Sequence, residues 1–363
     1  MDEKKYMMWL SSLTVTINPA RINGMLEVYG SAKEVYRASE SSLKELMSLS
    51  EPAIAELTKN RKPSRIDELL KITESLKIRY VSRNCEEFPS LLKCIPDAPV
   101  GLFCLGQQSI FDEPKIAVVG SRQCTEYGLI ATRLVTKPLA EVGTVIVSGM
   151  AKGIDSMAHW GAIHGGGKTI AVLGTGVDVC YPAENRNLRE EIISKGCLVS
   201  EYPPGTEGRK FHFPMRNRII SGLSLGVVVV EAGKKSGALG TADHALAQGR
   251  EVFAVPGNIS SKLSEGTNEL IREGACPVAD YSDILYVLRL MPPIGQEPVV
   301  KEPAVELAPD ERLVYDILSC EPTGYEELAE MTELAPGRMH FILTGLEIKK
   351  LIVKLPGARF IKS

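Results

Sequence analysis

Two short apolar runs that stop at glycine constrain this chain more than any other feature: IAVVG at 116–120 and VIVSG at 145–149. Runs of branched aliphatic residues bounded by glycine are the pattern of strands buried on both faces of a parallel sheet. Between them, residues 125–142 carry helical spacing, so the unit reads strand, helix, strand. Such a unit brings the carboxyl ends of both strands to one edge, where open α/β sheets bind ligands. The first strand delivers Gly120, Ser121 and Arg122 to that edge. The second delivers Ser148 and Gly149, with Lys152, Gly153 and Asp155 just beyond. Glycine lets backbone N–H groups approach an anion and the cations neutralise it, so the edge is expected to hold phosphate. Asp155 is expected to cap the helix that follows.

The alternation continues. Strands are predicted at 168–173, 197–201, 225–231 and 250–255, with helices at 155–164, 184–195, 216–223 and 241–248. This spacing predicts an α/β fold, a doubly wound Rossmann-like sheet. Residues 1–105 read as a separate helical domain, with amphipathic stretches at 6–13, 21–29, 42–49, 54–60 and 65–76. Short strands at 78–82 and 101–105 lead from it into the sheet domain, 106–290. Residues 291–308 are rich in proline and poor in large apolar residues, as in a semi-extended linker.

Residues 309–363 predict three helices, at 310–318, 325–332 and 336–349, and a hairpin at 351–361 turning at Pro356-Gly357. That is a winged helix-turn-helix. A DNA reader of this kind needs a basic recognition helix. The third helix offers Arg338, Lys349 and Lys350, but the second is acidic through Glu326, Glu327, Glu330 and Glu333. Nine acidic against seven basic side chains in 310–363 favour a protein-interaction role over transcriptional regulation.

Two further stretches carry chemistry. In KFHFPMRNR, Arg216 and Arg218 flank Asn217 at an expected helix start, beside Phe211 and Phe213; cations among aromatics suit a phosphate and a stacked base. After Glu231, the loop through Ser236 and Gly237 leads into a helix and offers N–H donors to an anion. The five histidines show no metal-ligand spacing, and neither a nucleophile elbow nor a P-loop lysine is present. Binding without catalysis, cofactor or metal is therefore expected. The net charge of -3 requires any nucleic-acid site to be a local basic pocket. No run approaches the length of a membrane span, no secretory signal is visible at the N-terminus, and eight scattered cysteines suit a reduced cytoplasm.

The blocks KIAVVGSRQCTEYG, IVSGMAKGIDSMAH, TIAVLGTGVDVCYPAEN, FPMRNRIISGLS and VVVVEAGKKSGALGTADHALAQGREVFAVPG resemble the DNA processing protein A family (DprA, also called Smf) in consecutive order. The N-terminal helices resemble its sterile-alpha-motif-like domain and the C-terminus its winged-helix extension. The resemblance implies an extended Rossmann-like domain that binds and protects single-stranded DNA, forms a homodimer and loads the RecA recombinase in natural transformation. Carried over by position, Arg122 and Lys152 would hold phosphates, Arg216 and Arg218 would line the same pocket, and Phe211 or Phe213 would stack; Arg186 of YPAENRN is a further candidate. The alternative is a nucleotide-processing enzyme resembling Rossmann-like phosphoribohydrolases, in which Glu231 and Arg218 would act together.

Overall fold

A computed structural model describes residues 2–290 and 307–362, apart from Ser48, Cys320, Glu321, Glu333, Lys350 and Pro356. The linker expected at 291–308 therefore lies, but for its last two residues, outside the described residues. The chain divides into two compact units, on either side of residue 293.

The first unit opens with α1 (Asp2–Ser11), α2 (Pro19–Tyr29), α3 (Ala32–Arg37), α4 (Glu40–Met47), α5 (Glu51–Asn60) and α6 (Pro63–Ser75). Local chemistry sets their ends. The Asn18 side chain accepts from Ala20 N and Pro19 occupies the first turn of α2, where its missing N–H costs nothing. Gly30 closes that helix at φ 76, a left-handed conformation that glycine adopts without strain.

A nine-stranded sheet follows: β1 (Arg79–Ser82), β2 (Gly101–Gly106), β3 (Lys115–Val119), β4 (Val145–Ser148), β5 (Thr169–Val172), β6 (Cys197–Ser200), β7 (Gly226–Val229), β8 (Glu251–Ala254) and β9 (Cys276–Pro277). Its order is β1-β2-β6-β5-β4-β3-β7-β8-β9. Strands β3 to β9 are mutually parallel, and β2 and β1 extend the sheet antiparallel beyond β6. The sheet thus begins at Arg79 rather than after residue 105, and the two antiparallel strands form one edge of it.

From β3 the chain winds outward through β4, β5 and β6; from β7 it winds the other way through β8 and β9. The connections diverge between β3 and β7, which sets a crevice at their carboxyl ends. Successive β3 residues face opposite layers, as a two-residue period requires: Ala117 and Val119 pack with one cluster, Ile116 and Val118 with the other. One layer holds α7 (Ser90–Lys93), α11 (His212–Leu223), α12 (Leu239–Ala247) and α13 (Glu265–Arg272). The other holds α8 (Glu126–Glu141), α9 (Ile154–His164) and α14 (Tyr281–Val287). Near β2 and β6 that second face is covered by α10 (Arg186–Lys195) and the N-terminal helices. Trp9, Leu10, Met25 and Leu57 share one buried cluster with Phe103 of β2 and Leu198 of β6, so bundle and sheet have a common core.

The second unit contains α15 (Pro309–Ile317), β10 (Thr323–Gly324), α16 (Tyr325–Thr332), α17 (Pro336–Ile348), β11 (Ile352–Leu355) and β12 (Arg359–Lys362). It is a winged helix whose core is Val314, Leu328, Met339, Ile342, Leu346 and Phe360. Cations at the two ends of α17, Arg338 and the C-cap Lys349, are held by carboxylates of α15. Arg338 pairs with Asp310 at 2.9 Å and Lys349 with Glu311 at 2.7 Å. Phe341 and Ile348 are left exposed on the same helix. Glu333 of the expected acidic helix, Lys350 and the turn residue Pro356 are outside the described residues.

Candidate nucleic-acid interface

The crevice at the sheet's carboxyl edge is a cleft of about 710 Å³. Its floor is the turn after β3, from Val119 to Arg122. One wall is α11, from Phe213 to Ile220; the other is the Gly233–Ala238 loop after β7, and Tyr181 stands at the rim. Four cations line it, Arg122, Lys210, Arg216 and Lys235, against the single carboxylate of Asp155. A recess of about 100 Å³ opens beside it, between Arg122, Gly149, Lys152, Tyr181, Phe213 and Arg216.

The turn after β3 is built for close approach. Ser121 N donates to the Glu231 carbonyl at 2.7 Å, and the Ser121 carbonyl accepts from Ile154 N at 3.2 Å. A Cβ at Gly153, whose φ is 78, would strike that same Ser121 carbonyl. The Glu231 carboxylate is buried and accepts from Thr125 N at 2.8 Å and Thr125 Oγ1 at 2.6 Å. Strand ends β3 and β7 are thereby locked together, and Arg122 projects from the lock into solvent at the cleft. Its guanidinium lies over the Phe213 ring, 5.6 Å from the centroid, a cation–π distance. Phe213 in turn packs on Tyr181, with centroids 5.1 Å apart and planes tilted by 31°. Two aromatic faces and a cation therefore share one side of the cleft.

Arg216 is 4% exposed and reaches into the wall between cleft and recess. Its Nη1 donates to the Val172 carbonyl at 2.6 Å, while Nε is buried with no protein partner. Burial lowers its pKa to about 10, against the opposing pull of Asp155 and with help from Arg122. Asp155 does not cap α9, whose N-cap is Gly153. Its buried carboxylate instead accepts from Gly149 N at 3.2 Å and Ala151 N at 3.4 Å, which shapes the turn after β4. Burial raises its pKa, and Arg216 opposes that rise. Helix α11 begins at His212, four residues earlier than the spacing suggested, so Arg216, Asn217 and Arg218 lie in its second turn rather than at its start. Asn217 Nδ2 donates to the Gly237 carbonyl at 3.2 Å and ties the two walls.

Of the residues named from the sequence, Gly120, Ser121, Arg122, Phe213, Arg216, Asn217, Ser236 and Gly237 line the cleft, and Gly149 and Lys152 line the recess. The others lie elsewhere. Ser148 is buried and donates to the Val118 carbonyl at 2.7 Å. Gly153 serves the turn described above. Phe211 is exposed outside the cleft, edge-on to His212. Arg186 is exposed at the start of α10 and lines neither cavity. Arg218 is 1% exposed and committed to Glu201. Lys152 Nζ is 2.6 Å from Glu184 Oε1. Tyr181, Lys210 and Lys235 line the cleft without having been singled out; the two lysines belong to the flanking segments GRK and GKKSG, where only their charge marks them.

Among the described residues no group of three His, Cys, Asp or Glu side chains is placed to hold a metal, and no helix is long and apolar enough to cross a membrane. The two carboxylate–arginine partners of an enzymatic reading are spoken for, Glu231 by Thr125 and Arg218 by Glu201.

Residues 79–289 match the family model described as DNA recombination-mediator protein A, and residues 297–358 match that of the DprA winged helix domain. The chain is 48% identical to the DNA processing protein DprA of Streptococcus pneumoniae over 57% of its own length and 76% of the relative's. It is 30% identical to Protein Smf of Synechocystis over 97% of both chains. Among solved structures, DNA processing protein A of Streptococcus pneumoniae superposes with a TM-score of 0.69 at 38% identity, over 78% of this chain and 97% of that one. The protein of the same name from Helicobacter pylori, solved for its single-stranded DNA binding mode, gives a TM-score of 0.54 at 31% identity, over 59% of this chain and 98% of that one.

Proposed function

Because the chain belongs to the DNA recombination-mediator protein A family, we propose that its cleft binds single-stranded DNA and that it acts by binding rather than by catalysis. The observation that carries this reading is the convergence of Arg122, Lys210, Arg216 and Lys235 beside the Tyr181–Phe213 aromatic pair in one cleft. Cations track a phosphate backbone and aromatic faces accept bases of any sequence, the combination that nonspecific single-strand binders use. The cleft's local positive charge answers the chain's overall charge of -3. The Helicobacter relative's single-strand binding supports the same assignment. We extend it to a cytoplasmic homodimer that protects incoming strands and hands them to the RecA recombinase. The commitment of Glu231 and Arg218 to other partners weighs against phosphoribohydrolase-like chemistry.

The test is titration of a fluorescent polythymidine oligomer and the equivalent duplex at several salt concentrations, with wild type and Arg122→Ala. Binding should favour the single strand and weaken as salt rises, because phosphate contacts release counterions. Arg122→Ala should lose affinity and flatten the salt dependence. Unchanged affinity in the variant would overturn the cleft assignment, and release of free base from nucleoside monophosphates would revive the enzymatic one.

A further inference from the structure

Arg216 and Arg218 are two positions apart on α11, and an α-helix turns about 200° over two residues. They therefore face opposite ways. Arg216 reaches the cleft, whereas Arg218 points into the protein and is 1% exposed. Its Nη1 and Nη2 donate to the two carboxylate oxygens of Glu201 at 3.0 and 2.6 Å, a bidentate fork. Its Nε lies 3.1 Å from Asp97 Oδ2. Glu201 is 1% exposed and directly follows β6, while Asp97 belongs to the segment that leads into β2. The Arg218 carbonyl also accepts from Gln248 Nε2, just past α12. One residue thus joins α11 to the antiparallel edge of the sheet and to the neighbouring helix. The other face of the same turn presents Arg216 to the cleft and Asn217 to the Gly237 loop.

We propose that Arg218, clamped by Glu201 and Asp97, is a positioning residue: it fixes the rotation and height of α11 and so aims Arg216, Asn217 and Phe213 at the bound strand. The inference rests on the cleft being the strand's site. A bidentate fork specifies orientation as well as distance, which a lysine at the same place cannot reproduce. A buried pair of this kind contributes little net stability, but removing one partner leaves an uncompensated charge that the helix must move to relieve.

The alternative is that Arg218 swings out to contact phosphate, and the two readings differ in sign. Glu201→Gln removes a negative charge. If Arg218 were a phosphate ligand, releasing it would tighten polythymidine binding. If Arg218 positions the helix, binding weakens. Full-length Glu201→Gln, Asp97→Asn and Arg218→Lys would be titrated with the fluorescent oligomer across salt concentrations, at a temperature where circular dichroism shows each variant folded. Glu201→Gln should weaken binding roughly tenfold, the scale of one misplaced charge-assisted contact. It should also lower the salt slope by about 0.7, the worth of one phosphate on a single strand. Arg218→Lys should not restore wild-type binding. Asp97 is 35% exposed at its side chain, so Asp97→Asn should show a smaller loss of the same sign with little effect on folding. It decides the matter if Glu201→Gln does not fold. Tighter or unchanged binding in Glu201→Gln, or in Asp97→Asn in its place, overturns the proposal, as does wild-type behaviour of Arg218→Lys. Wild-type binding by Arg122→Ala would instead remove the cleft reading, and the proposal with it.

Discussion

The guanidinium of Arg216 occupies the space beside Gly149 that any side chain would need: a Cβ built on Gly149 falls within the Arg216 head group. The glycine at the end of β4 is thus a seat for an arginine from another helix. Gly149→Ala should push Arg216 off the Val172 carbonyl and close the recess. We expect at least tenfold weaker single-strand binding, by fluorescence anisotropy, and a stability loss of about 1–3 kcal/mol, the usual cost of overpacking, by denaturant unfolding.

Phe213 carries Arg122 on one side and Tyr181 on another. Phe213→Leu keeps most of the apolar volume but removes the ring face. Stacking on an aromatic is worth about 1–3 kcal/mol per base, so affinity should fall by roughly 5- to 150-fold with the salt slope nearly unchanged. A change in slope instead would mean that the ring's service is to hold Arg122 on the strand.

Lys152 and Glu184 form an ion pair at the mouth of the recess, both well exposed. The hydrogen bond from Lys152 holds the Glu184 carboxyl below its ordinary pKa. A strand phosphate competes with Glu184 for that cation. Glu184→Gln should therefore tighten binding about two- to fivefold at low salt, within the small range of exposed pairs, and the gain should vanish as salt screens it.

His159 is fully buried, with Nδ1 2.6 Å from Thr169 Oγ1. Burial first, and Arg216 second, lower its pKa from 6.5 to about 3. The unfolded chain therefore binds a proton between those values that the folded chain refuses. Stability from this histidine is complete above pH 6.5 and is lost as pH falls toward 3. Urea unfolding of wild type and His159→Gln should show the wild type's advantage shrinking steadily from pH 7 to pH 4.

Much of this architecture was legible in the chain because the central strands are buried on both faces, and so appear as unbroken aliphatic runs closed by glycine. The crevice and its GSR turn follow directly from that pattern. What was not legible is direction. Arg216 and Arg218 look equivalent in a linear motif, and only the helical period, counted from an α11 that starts at His212, separates a cleft residue from a buried clamp. Gly153 was read as an anion contact when its task is to clear the Ser121 carbonyl. Strand β9 and helices α13 and α14 escaped because they are short, at two, eight and seven residues. Tyr181 escaped because nothing in its immediate neighbours marks it as facing Phe213.

The two ends of the sheet are finished differently. At one, β1 turns antiparallel and packs beneath α1 and α6. At the other, β9 is only two residues long and its second residue is Pro277, which has no N–H to offer. Open strand edges are templates on which unrelated chains polymerise, and with β1 four residues long and β9 two, this sheet offers only a short one at either border. Crowding at high concentration should therefore not seed fibrous aggregates readily through the sheet's borders.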